Sequence, residues 1–108
     1  MVFMKEMKAT VRFEEETNVK ILPYGARVCL TNIDKYGYNG RNLHPQEPDI
    51  GFTGVVVKMT VFDVENSCDA RVGHPFEMIN TEKEEVCYTV INALGRELEC
   101  MGFEIETI

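Results

Sequence analysis

Wherever this chain is apolar, it alternates. From Gly54 to Val64 six of the eleven residues are β-branched. In extended backbone successive side chains point to opposite faces, so such a run specifies a strand. The alternation puts Val55, Val57, Met59 and Val61 on one face and Val56, Lys58, Thr60 and Phe62 on the other. The same period appears where Ala9, Val11 and Phe13 alternate with Lys8, Thr10, Arg12 and Glu14, predicting a strand over 7–14. Further strands are expected over Arg27–Ile33, Glu85–Ile91, Glu97–Met101 and Phe103–Ile108. Pro23-Tyr24-Gly25 reads as a turn before the first of these, and Asn92-Ala-Leu-Gly-Arg96 as the turn of a hairpin. With no amphipathic helix in view, these short strands predict an all-β domain, a small barrel or sandwich.

Two connections stand out by length. Residues 34–51 carry three Gly and two Pro among Asn, Asp and Tyr, and 65–83 hold Gly73 and Pro75, with at most a short helical turn over Pro75–Ile79. Loops longer than about 12–15 residues are uncommon in compact domains and are often functional, which makes 34–51 the first candidate site. The 108 residues fit one domain over 1–108, long enough to bury a core, with 1–6 expected as a frayed extension.

The order of motifs resembles the SH3-like small barrels of bacteria and their phages. Gly25-Ala-Arg-Val28 opens a strand, and a long loop leads to Gly51-Phe-Thr-Gly-Val-Val-Val57. Val86-Cys-Tyr-Thr-Val-Ile91 follows, and Phe103-Glu-Ile-Glu106 ends the pattern as an acidic strand that returns to the first. The resemblance spans 24–108. It implies an SH3-like barrel with an added N-terminal strand and two long loops, and a peptide or protein contact on the long loop after the first strand. The acidity sets the chain apart from the ribosomal and transcription-factor barrels that bind RNA. It looks like a phage or mobile-element accessory protein that modulates a host protein.

Eighteen Asp and Glu against eleven Lys and Arg give a net charge of −7. Phosphate backbones are held by clustered Lys and Arg, and here the basic residues are scattered, so nucleic acid is the less favoured partner. A nucleic-acid-associated barrel is the alternative, and it requires Lys20, Arg27, Arg41, Lys58 and Arg71 to converge. The first residues carry charges where a signal peptide is apolar, and no window suits a membrane span. A cytoplasmic protein with free thiols at Cys29, Cys68, Cys87 and Cys100 is expected.

The expected protein-binding residues are Tyr36, Tyr38, Arg41, His44 and Phe52 in and after the loop, because aromatic rings with polar handles favour interfaces. Glu97, Glu99, Glu104 and Glu106 join them as an acidic face for a basic partner, since alternate strand positions share a face. The competing reading is that Tyr36 and Phe52 anchor the loop and that the acids are merely solvated. Other candidates are weaker. His44, Cys68, Asp69 and His74 have the ligand types for zinc but not its spacing. Asp63, Glu65 and Asp69 lack the EF-hand pattern. Cys68 or Cys87 with His74 supplies the types for a thiolate nucleophile, with nothing in the spacing to favour it. No catalytic residue, cofactor or metal is expected, and an exposed sheet edge leaves room for a dimer.

Overall fold

The computed structural model describes residues 21–34, 41–63, 70–79 and 84–108. The strand expected over 7–14 and the residues Lys20, Tyr36, Tyr38, Glu65, Cys68 and Asp69 lie outside these.

The described chain is all-β. Six strands, β1 (Arg27–Leu30), β2 (Thr53–Asp63), β3 (Ala70–Gly73), β4 (Glu84–Ile91), β5 (Glu97–Met101) and β6 (Ile105–Thr107), form one antiparallel sheet. Their spatial order is β5-β4-β2-β1-β6, with β3 beside β2. The eleven-residue β2 is the axis of the sheet. One edge pairs with β4 from Val55 to Asp63, and the other pairs first with β1 and then with β3.

The face assignment of β2 departs from simple alternation. Val55 and Val56 oppose Ile91 and Val90, but Lys58 opposes Thr89, so Val57 is an extra residue in a β-bulge. A bulge inserts one residue and reverses the faces beyond it. Val56, Met59 and Val61 therefore point into the core, while Val57 is 45% exposed. Val28 and Leu30 of β1, Tyr88 and Val90 of β4, Leu98 of β5 and Ile105 of β6 complete its centre. The Tyr88 hydroxyl, buried with its ring, accepts the Leu22 N–H at 2.9 Å and so ties down the segment before β1.

Both short turns follow their sequence signals. Ala26 N donates to Pro23 O at 3.1 Å around the Pro23–Ala26 turn. In the β4–β5 hairpin the Asn92 side chain accepts the N–H groups of Leu94 and Arg96, and Gly95 supplies the required φ of +88°. Two segments differ from expectation. Ala70–Gly73, read as loop, is a strand, because the edge of β2 beyond β1 offers unpaired backbone groups that a segment too short to show alternation can still satisfy. Residues 103–108 are not one strand: a 3₁₀ turn over Gly102–Glu104 precedes β6, which returns to pair with β1.

Gly54 lies tight against the backbone of β4, since a Cβ there would stand 2.3 Å from the Ile91 carbonyl oxygen. Gly54→Ala is expected to lower stability by about 1–3 kcal/mol, seen as a lower urea midpoint at unchanged m. Gly73→Ala should cost less, because the nearest atoms are side-chain methyls of Met59 and Val61 and the flexible Met59 can move. An unaltered midpoint for Gly54→Ala would show that β2 and β4 can separate freely there.

Candidate functional site

The loop from Thr31 to Phe52 begins and ends against itself: Gly51 N donates to Leu30 O at 2.9 Å and Leu30 N to Phe52 O at 2.8 Å. Its described residues 31–34 and 41–43 bond to β5 and the Gly102–Glu104 turn, and one side chain there organises them. Glu104 is fully buried. Its carboxylate accepts from Arg41 Nη1 at 2.6 Å, from Asp34 N at 2.7 Å and from Met101 N at 2.8 Å. Its backbone oxygen accepts the N–H groups of Thr31 and Asn32. Glu104 thus holds the outgoing stem of the loop, through residues 31–34, and the returning stem, through Arg41.

Glu99 on β5 extends the hold. Its carboxylate accepts Asn42 N at 2.7 Å and Leu43 N at 3.1 Å, its N–H donates to Leu43 O, and its own carbonyl accepts Arg41 Nη1. Further along, Asp49 caps the short Glu47–Asp49 turn by accepting Gln46 N at 2.8 Å and pairs with Arg96 at the same distance. The Arg96 guanidinium lies 5.7 Å from the Phe52 ring centroid, and Phe52 is half-buried against the core.

The placement corrects the expected acidic face. Glu97 and Glu106 are exposed, but Glu104 is buried and Glu99 is half-buried under the loop it binds. Alternation assigned Glu104 to the solvent; the 3₁₀ turn rotates the chain so that Phe103 is 57% exposed and Glu104 faces in. Arg41 likewise belongs to the interior as Glu104's counter-charge and is not a surface contact residue. His44 is half-buried on the loop. Sequence reasoning missed the pairing because Arg41 and Glu104 lie 63 positions apart. Gly102, which interrupts the alternation, was the one local signal that the last strand is broken.

The other candidates separate. Among the described residues no group of three or more His, Cys, Asp or Glu is placed to hold a metal ion. Burial pushes the Cys87 thiol up, with the nearby Arg41 opposing, and pushes Cys100 up to about 12, with Glu104 adding to the shift. Both thiols are thereby held protonated and inert. His74 stands exposed, its ring contacting Tyr24 and Phe76. Of the five basic residues the nucleic-acid alternative needs, Arg41 is paired with Glu104 and Arg71 with Glu77 and Glu84. Comparison with protein-family models, curated proteins and solved structures finds no match to this chain.

Removing one partner of a buried ion pair leaves an uncompensated charge. Arg41→Met is expected to cost about 3–5 kcal/mol in chemical denaturation. Combined with Glu104→Gln it should cost less than the sum of the single changes by roughly 0.5–3 kcal/mol. Strict additivity would mean the two side chains do not interact. The thiols give a second expectation. Cys100 titrates near 9.0 when unfolded and near 12 when folded, so its protonated form favours the fold fully below pH 9. That contribution is lost as pH rises through about 12, and Cys87 acts in the same direction. The urea midpoint should fall between about pH 9 and pH 12, and fall less in a Cys87→Ala/Cys100→Ala variant, which linkage requires if the thiols cause it.

Proposed function

We propose that this domain is a non-catalytic protein-interaction module of SH3-like architecture that contacts its partner through the 31–52 loop. The observation that carries the reading is the double hold of Glu104 on both stems of that loop. Removing two charges from water is expensive, and a buried ion pair is poor as a source of net stability. Here it fixes the ends of the segment 35–40, which bears Tyr36 and Tyr38. Binding costs less ordering entropy when a recognition loop is held in advance. Tyr36 and Tyr38 are the proposed contact residues, with Arg41, Glu99 and Glu104 as positioning residues. The return of β6 to β1 through a 3₁₀ turn supports the SH3-like reading, since an acidic ending that rejoins the first strand is part of the resemblance. A phage or mobile-element accessory protein acting on a host protein in the cytoplasm is the setting we infer.

The alternative, a nucleic-acid-associated barrel, is separated by affinity capture of the tagged protein from its host's lysate with and without nuclease. A stoichiometric protein is expected to remain after nuclease treatment. It should be lost when Tyr36 and Tyr38 are both replaced by Ala, at an unchanged melting temperature. Recovery of nucleic acid, with its proteins released by nuclease, would favour the alternative instead. Partner retention by a folded Tyr36→Ala/Tyr38→Ala variant would remove the loop from the binding surface.

A further inference from the structure

β3 leaves one edge of the sheet open beside the point where the described chain enters it. Among the described residues β3 pairs with β2 alone, so its other side, over Ala70–Gly73, has no neighbouring strand. A strand edge of this kind is a template for pairing with another extended segment. Its surroundings are apolar: Val72, on the strand itself, is 64% exposed, and Phe76, just beyond it, is 86% exposed. Side-chain neighbours across adjacent strands stabilise such positions, and Val72 has one on the β2 side, Thr60.

The chain enters the fold at the same place. Tyr88, Met59 and Gly73 are register partners in one row across β4, β2 and β3, and Gly73 stands at the outer end of that row. Leu22 N donates to the Tyr88 hydroxyl at 2.9 Å, and the Tyr24 hydroxyl donates to Gly73 O at 2.8 Å. Both bonds fall on the row, and the second reaches the strand at the open edge. Residues 1–20 therefore lead into the fold beside β3. Of the four stretches outside the described residues, 35–40, 64–69 and 80–83 join described residues over six, six and four positions. The second runs from the end of β2 to the start of β3, and the third from Ile79 to β4, so both are spent as connections. Residues 1–20 are the longest of the four, and the alternation of Ala9, Val11 and Phe13 with Lys8, Thr10, Arg12 and Glu14 predicts a strand over 7–14. From Glu14 to Ile21 the chain spans up to about 25 Å, against about 13 Å for the four residues of β3, so the reach is ample.

We infer that residues 7–14 add as a further strand to the open edge of β3 in the same chain, with one of their apolar side chains beside Val72. Main-chain bonds supply the attachment in such an addition, and side chains at alternate positions select the segment. The edge is then used within the molecule and is withheld from pairing with other chains. The inference concerns β3 and the entry of the chain, neither of which the loop reading uses, so each stands or falls alone.

The test is nuclear Overhauser spectroscopy with amide hydrogen exchange on the full isotope-labelled chain. Contacts between backbone protons of 7–14 and those of 70–73 are expected, with exchange slowed at least about tenfold at alternate amides of 7–14. Of two successive N–H groups in a strand one faces the neighbour, so Thr10→Pro/Val11→Pro removes a bond in either register. That variant should lose the contacts and return 7–14 to the free-chain exchange rate, with the amides of β4 unchanged as the control for folding. Free-chain exchange over 7–14 in the unaltered protein would overturn the inference, as would contacts from 7–14 to another edge such as β6. Contacts seen only between a labelled and an unlabelled copy would overturn it too, since the added strand would then belong to a second molecule.

Discussion

The carboxylate of Glu104 is the point on which the described structure turns. Sealed from solvent, a charged group must find hydrogen bonds and a counter-ion within the protein. Glu104 finds both, and every partner belongs to a different stretch of chain: Asp34 leaving the first strand, Arg41 returning toward the sheet, and Met101 at the end of β5. A single side chain therefore makes the path of the long loop part of the fold. Because its value lies in geometry, its removal is expected to show in the loop as well as in the denaturation curve.

The sheet provides the setting for that charge. Residues 86–90 of β4 are buried on both faces, one against the core around Tyr88 and Val90, the other holding Cys87 and Thr89. Strands buried on two sides are unusual in small antiparallel sheets, where one face commonly meets water. Here the loop takes up part of the edge of β5 through Leu43, and Arg41 is near enough to Cys87 to act on its thiol. The cover over the second face and the hold on the loop are thus one arrangement.

The sequence made the architecture readable and hid the site. The all-β character, the central strand, the hairpin at Asn92–Arg96 and β5 were visible because alternation and turn residues are local signals. The bulge at Val57 was not, since any residue of the Val55–Val57 run could be the extra one, and the slip inverted the predicted faces at Val55, Val56 and Val57. Ala70–Gly73 was too short to declare itself. The acidic residues misled for another reason: alternation treats every glutamate as solvated, and only tertiary contact shows that Glu97 and Glu106 face water while Glu99 and Glu104 are spent inside. Tyr36 and Tyr38 are proposed as contact residues from the composition of the loop and from the stems that flank them.

The two stems of the loop meet on one carboxylate, and that has a consequence for how the chain can change over generations. Asp34 and Arg41 are the gateposts of the segment 35–40, and each is bonded from the sheet side to Glu104. Lengthening a loop between closed ends is cheap, about 0.6 kcal/mol for a doubling. The cost of a longer segment there therefore falls on loop closure, while the bonds of Glu104 to Asp34 and Arg41 stay with the frame behind it.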